Sequence, residues 1–588
     1  MSSKGYGQVE PSGHQSQRKK RMAVAGMSAV LLVAMVVGVA VTASRGRGGS
    51  SSESSGNNDG EMSATVKAID TICQPTDYKE ACVQTLTKEA RANDTDPSDL
   101  FKLAFNVAIE QVKKVFNESA VKEKAEKDPR AAFALRNCQE LLEYSMDDLQ
   151  NSVEQLGPFD PSKLNKLLQD LKVWLSAAIT YEETCLDGFE NTTGPAGEEM
   201  RKAMNLSMEL THNTLAIVDD VASLLTAFKV PSFNRRLLSE GHDENALAED
   251  GAPLWVDDER RQLLAADVKP DAVVATDGSG GYKTIKDALA AVPKKSTKTF
   301  VIYIKAGVYK EAVVVDKSLT NVMMVGDGQT KTRITGNLNF IDGTPTFKTS
   351  TVSVMGDGFI AKDIGFENAA GAAKHQAVAL RVSADKSIFY RCQMDAYQDT
   401  LYTHTKRQFY RECTVSGTID FIFGNAPVVF QNCLMLVRQP LPNQQNIVTA
   451  QGRKDRREPT AIILQNCTIS ADAGFAKANW AKNPSYLGRP WKEYSRTFVL
   501  QSQINDVIHP NGWLPWMGDF GLRTCFYAEF DNRGPGAGTT QRVAWRGIKK
   551  IDYAKAQQFT AERFIQGNSW IRPTGIPFIP GLLPASTA

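Results

Sequence analysis

Histidine is scarce, at six in 588 residues. The nine cysteines include no CxxC pair and no Cys/His pairing at metal-ligand spacing. A zinc site is therefore not expected, and the chain calls for neither metal nor cofactor. No G-x-S-x-G occurs, which argues against a serine esterase built on a strand-to-helix nucleophile elbow. Long apolar runs are equally rare. The one present, residues 22–43, is uncharged and follows Arg18-Lys19-Lys20-Arg21. At a helical rise of ~1.5 Å per residue it is long enough for a ~30 Å hydrocarbon core. The basic cluster ahead of it would stay cytoplasmic (residues 1–21), so an uncleaved signal-anchor and a long signal peptide both fit. Either would carry the rest of the chain into the secretory pathway and out to the cell exterior. The sequons at Asn93, Asn117, Asn191, Asn205 and Asn466 agree with that route.

The net charge of +2 conceals two halves of opposite sign. From Ala265 onward there are 39 Lys and Arg against 26 Asp and Glu; the first 264 residues hold 29 against 40. A basic half suits a polyanion that is not a nucleic acid, and the acidic half of the same chain can serve as its internal counterpart.

After a Ser/Gly-rich linker at 44–62, residues 64–229 recur in apolar character every three or four positions, as in Leu100, Phe101, Leu103, Ala104, Val107 and Ala108. Pro and Gly fall between these segments, at Pro97, Gly157-Pro158 and Gly194-Pro195. The pattern predicts an all-α four-helix bundle with short helices or a hairpin ahead of it. Its economical disulfides are Cys73–Cys82 and Cys138–Cys185, with the two other pairings open. Residues 230–266 lose periodicity and contain RRLL at 235–238 and RRQLL at 260–264. They read as a connector open to a processing protease at Arg235-Arg236, Arg260-Arg261 or both.

From residue 267 to 580 the texture is that of strands ending in Gly, Asp or Asn. FYRC at 389–392, FYREC at 409–413, FQNC at 430–433 and LQNC at 464–467 repeat every 20 residues or more without intervening helices, which favours a parallel β-helix. The stretch 282–292 can cap one end, and the aromatic C-terminal region can pack along the side. Cys413 and Cys433, one presumed coil apart, would suit a further disulfide. Gln376, Gln398 and Asp420 recur at a step of 22 residues, and Asp399 follows the second of them. Stacked one coil above another at ~4.8 Å, they would gather two amides and two carboxylates into one acid/base and oxyanion-stabilising patch. Alternation of side chains along a strand forbids Gln398 and Asp399 from facing the same way unless the backbone bends between them. His375 and His404 flank the patch and read as structural.

GVYKE at 307–311, QAVAL at 376–380, YQDTLY at 397–402, DFIFG at 420–424 and LGRPW at 487–491 resemble plant pectin methylesterases across roughly 267–580. Residues 64–229, with their four cysteines, resemble the invertase/pectin methylesterase inhibitor domain. The resemblance implies a two-domain chain: an inhibitor-like four-helix bundle followed by a right-handed parallel β-helix. Its expected reaction is hydrolysis of galacturonate methyl esters in homogalacturonan to pectate and methanol. It further implies that Asp420 is the nucleophile, Asp399 the proton donor and acceptor, and Gln398 and Gln376 the oxyanion donors. Thr346, Gln376, Arg489 and Trp491 would contact substrate, with Arg489 also holding Asp420 ionised. The helical domain is expected to restrain the β-helix until the connector is cut. The alternatives are a β-helical pectate lyase or polygalacturonase, which would shorten the polymer, and an inert wall-binding protein.

Overall fold

The computed structural model describes residues 57–91, 96–117, 128–156, 164–190, 192–221, 223–224 and 269–584. The apolar segment 22–43 and both dibasic pairs lie outside these residues. Among the described residues no helix is long and apolar enough to cross a membrane.

The N-terminal part is helical: α1 (Asn57–Ile72), α2 (Lys79–Glu89), α3 (Pro97–Phe116), α4 (Pro129–Gln155), α5 (Leu164–Asp187) and α6 (Ala196–Asp219). Two starts are written locally. Asp96 and Asp128 each sit just before a proline and accept a hydrogen bond from the backbone N–H two residues on, Ser98 at 2.8 Å and Arg130 at 2.9 Å. A capping carboxylate followed by Pro satisfies one free donor and removes another. Helices α3 to α6 form the expected bundle around Phe105, Ala108, Leu141, Leu142, Leu175 and Met204, while α1 and α2 form a hairpin against α3. Cys73–Cys82 ties that hairpin, and Cys138–Cys185 ties α4 to α5, with Cα separations of 5.8 and 4.3 Å.

Residues 272–549 wind as a parallel β-helix of three sheets. One sheet has eleven strands, one eight and one seven, and every pairing is parallel. The repeated FYRC-like motif is one corner of this coil. Its residue before the cysteine turns into the left-handed region, with φ of 52° at Arg391, 54° at Glu412, 55° at Asn432 and 51° at Asn466. The preceding aromatic points inward, and Phe389, Tyr410 and Phe430 stack at 4.8 and 4.5 Å.

The cysteines of the same corners are all free, so the expected Cys413–Cys433 bridge is not formed. Register explains this. Cys392, Cys413, Cys433 and Cys467 occupy one position on successive coils and point inward in parallel, whereas a disulfide needs the two Cβ vectors to converge. Their thiols reach backbone carbonyls instead, Cys413 to Phe389 at 3.3 Å and Cys433 to Gln431 at 3.3 Å.

Helix α7 (Ile285–Ala290) buries Ile285, Ala288 and Leu289 over the first coil, which closes that end. The C-terminal segment packs Phe559, Trp570 and Ile571 on the outer face of the eleven-stranded sheet. Beyond it the chain is held by glutamines. Gln431 pairs with both backbone groups of Ile579, Gln465 donates to the Gly581 carbonyl, and Gln501 pairs with both groups of Leu583.

Candidate active site

The site lies on the outer face of the seven-stranded sheet. Strands 380–382, 401–403 and 422–424 run side by side, with Leu401 beside Leu380 and Ile422 beside Leu401. Gln376 and Gln398 pair as neighbours one coil apart, as their spacing suggested. The second step differs from the expectation. The coil from 401 to 422 is 21 residues long, so Asp420 comes to lie beside Asp399 and Gln398 beside Ile419, whose carbonyl accepts from Asp399 N–H at 3.0 Å. The bend required between Gln398 and Asp399 is present. Asp399 has φ of 63° and Asp420 φ of 50°, a left-handed conformation that costs an ordinary residue on the order of 1 kcal/mol. Both carboxylates thereby turn into the same cleft as the two amides.

That cleft, of about 290 Å³, is lined by Thr346, Phe347, Gln376, Gln398, Asp399, Tyr402, Asp420, Phe423, Arg489, Trp491 and Trp516. Every site residue named from the sequence is therefore on it. Asp420 accepts a forked pair of hydrogen bonds from Arg489, Nε to Oδ1 at 2.8 Å and Nη2 to Oδ2 at 2.5 Å. The guanidinium in turn lies 4.2 Å over the Trp516 ring. Asp399 is buried, with no cation paired to it among the described residues. Burial, then the charge of Asp420, push the Asp399 carboxyl well above its usual range. Burial also raises Asp420, but Arg489 opposes the rise. The two acids are thus driven unequally, and Asp399 is the one that keeps its proton.

Aromatic groups shape the rest. Tyr402 stacks on Phe423 at 4.2 Å, and Trp491 meets both edge-on at 6.4 and 5.8 Å. Gly452 makes room for Trp491, since a Cβ there would come within 2.8 Å of the indole. The surroundings expected for Asp399 need correction. Tyr397 turns away to stack under Arg438 at 4.0 Å, and Leu401 points into the coil interior; only Phe423 borders the cleft. Trp516 and Tyr402 were missed. Tyr402 stood in the YQDTLY motif with a strand period placing it outward, whereas nothing local to Trp516 linked it to Arg489.

The helical domain covers this cleft. Asn137 and Leu141 of α4, with Thr184 and Asp187 of α5, line it from the other side. Across the boundary, acids come mostly from the helices and bases from the coil: Asp148–Lys406 at 2.9 Å, Asp187–Lys492 at 2.7 Å, Asp170–Arg407 at 2.7 Å and Asp77–Arg457 at 2.6 Å. His212–Asp455, at 2.8 Å, runs the other way. His404 is buried between Ser383, 3.0 Å from Nδ1, and Thr184, 2.9 Å from Nε2, consistent with a structural part.

The pectinesterase family model matches residues 271–568, just over half of the chain. The chain belongs to the pectinesterase family. A second model, the plant invertase/pectin methylesterase inhibitor, matches 67–217. The chain is 49% identical over 580 residues to the probable pectinesterase/pectinesterase inhibitor 21 of Arabidopsis thaliana, covering 98% of this chain and 84% of that one. It is 44% identical over 527 residues to pectinesterase 1 of the same plant, 87% of each chain. Among solved structures it is similar to the pectin methylesterase from carrot, at 52% identity and TM-score 0.53 over 54% of this chain and all of that one. The molecule is thus a pectinesterase with an inhibitor-like domain seated on its cleft, and it hydrolyses the methyl esters of galacturonate in pectin to pectate and methanol.

Proposed function

We propose that this pectinesterase works through an aspartyl acyl-enzyme. Asp420, kept ionised by the Arg489 fork, attacks the ester carbonyl carbon, and the carbonyl electrons move to oxygen. The amides of Gln376 and Gln398 donate to that oxyanion; one such donor is typically worth ~3 kcal/mol. Gln376 Oε1 is buried with no partner among the described residues, so this amide is not already committed to the fold. Asp399 gives its proton to the departing methoxide as the carbon–oxygen bond breaks, releasing methanol. It then takes a proton from water, whose oxygen attacks the acyl carbon and returns Asp420 as a free carboxylate. Thr346 and Trp491 position the sugar.

The observation that carries this reading is the unequal treatment of two adjacent buried carboxyls, one forked by Arg489 and one left without a cation. Methanol release from methylated pectin tests it. Asp420→Ala should lose at least a thousandfold in kcat, and Asp399→Asn nearly as much; full activity in Asp420→Ala would overturn the assignment. Methanol without chain shortening, in chelator, sets the reaction apart from lyase or polygalacturonase chemistry.

The helical domain, by occupying the cleft with Thr184 and Asp187, would hold the enzyme latent until cleavage at Arg235-Arg236 or Arg260-Arg261, after passage through the secretory pathway, membrane-anchored or not, to the cell wall. A secreted chain with all four arginines replaced by alanine should stay uncut and latent. Identical cleavage would refute the processing step.

A further inference from the structure

Arg381 is the least explained charge in the molecule. It sits at the centre of strand 380–382, in register with Tyr402 and, one coil on, Phe423, both of which line the catalytic cleft. It is 2% exposed, yet no carboxylate pairs with it among the described residues. Its Nη1 donates to Ser383 Oγ at 3.2 Å, and its Nε is buried without a partner. The guanidinium instead lies flat over Phe347, 3.8 Å from the ring centroid. A buried guanidinium with an idle donor is costly unless an anion is meant to meet it.

A second cation brackets the same ring. Lys348 Nζ is 5.3 Å from the Phe347 centroid and pairs with Glu140 of α4. Glu140 also accepts from Tyr144 at 2.7 Å and lies within the field of Arg381. In the covered enzyme, therefore, a carboxylate of the helical domain already occupies the ground beside Phe347. Phe347 and its neighbour Thr346 border the cavity that holds Asp399 and Asp420. A carboxylate seated there from the substrate side would belong to a sugar next to the one being de-esterified.

We infer that Lys348 and Arg381, set about Phe347, form a subsite for the free carboxylate of an already de-esterified galacturonate neighbouring the scissile ester, and that Glu140 fills this subsite in the uncut chain. The subsite rests on the pectinesterase reading of the cleft. It is sequence-specific in the sense of the polymer: a methyl ester next to a product residue is favoured over one among other methyl esters. Arg supplies a planar fork for the carboxylate while remaining stacked, and Lys supplies a mobile point charge at the rim.

The test uses the full-length chain cut within 230–266 and two galacturonate hexamers, one fully methyl-esterified and one carrying a single internal methyl ester among free carboxylates. Wild type should favour the second by tenfold or more in kcat/KM, chiefly through KM and less so as salt is added. Lys348→Gln should lose about fivefold of that preference and Arg381→Gln nearly all of it. Lys348 is 29% exposed even under the helical domain, so its variant is free of the packing defect that Arg381→Gln risks. Arg381→Lys, keeping charge without the fork, should fall between. Binding of the fully de-esterified hexamer, followed by calorimetry, should weaken in the same order. Equal preference for the two hexamers in wild type, or a preference untouched by both Gln variants, overturns the subsite while methanol release leaves the esterase intact. No methanol from either hexamer overturns the esterase reading and the subsite together.

Discussion

Lys406→Met in the uncut chain puts the proposed latency under direct strain. Lys406 and Asp148 pair at 2.9 Å across the domain boundary, both under 10% exposed. Asp357 and Tyr181 also face the ammonium, and no water-accessible route relieves the pair. Removing one partner of a buried pair typically costs ~3–5 kcal/mol because the other is left charged and dry. Asp148 has an escape: burial already pushes its carboxyl up to about 6, so without Lys406 it takes up a proton more readily still. The low end, about 3 kcal/mol, is therefore expected near pH 7.5, or roughly a hundredfold in the open-to-closed ratio. Near pH 5, where Asp148 is largely neutral in either protein, the effect should shrink to tenfold or less. The assay is methanol release by uncut chain, compared with the same protein after cleavage. Adding Asp148→Leu should restore much of the latency, since an apolar pair of similar volume avoids the desolvation penalty. If Lys406→Met is as latent as wild type near pH 7.5, this contact does not hold the domains together and the energetic argument fails.

Four further outcomes follow from the same geometry. Domain closure should itself weaken as pH rises through about 6, because Asp187 and Asp148 are raised to about 6 by burial and favour the closed form while protonated; His212, held above its ordinary value by Asp455 despite burial, adds to this, whereas Glu183 and Asp455 are depressed and favour closure only above their ordinary range. Uncut chain should thus be most latent near pH 5, and latency that rises toward pH 7.5 would contradict the assignment. Arg489→Lys should cut kcat on the order of a hundredfold with little change in thermal midpoint, as the fork on Asp420 becomes a single contact. Gly452→Ala should raise KM several-fold by displacing Trp491, with kcat less affected, as steady-state kinetics on the cut enzyme will show. The five buried thiols of the β-helix should resist an aromatic disulfide reagent until denaturant is added, and fast labelling of Cys413 or Cys433 in the native protein would argue against the parallel stack.

Much of this was legible because a coil repeats. The FYRC-like motif marked one corner of each turn, and period-22 polar residues marked the cleft, so architecture and site composition could be read together. Register was not legible to the residue. Gln376 to Gln398 is a full coil, but the next turn is one residue shorter, so Asp420 faces Asp399 rather than Gln398. Spacing alone could not reveal this, since the left-handed turns at Asp399 and Asp420 absorb the difference. The same limit undid the Cys413–Cys433 bridge: separation along the coil was right, and side-chain direction was not. Trp516 stayed hidden because its contact with Arg489 joins a loop to a strand end through tertiary folding alone.

The three glutamines that grip Ile579, Gly581 and Leu583 reach across 148, 116 and 82 residues of chain. Nearly all of the polypeptide must emerge from the ribosome before that seam can fasten. Until then the flank of the coil exposes amides ready to accept some other extended strand. Loss of the last ten residues would accordingly leave the catalytic groups in place and make the nascent molecule prone to sticking to its own kind.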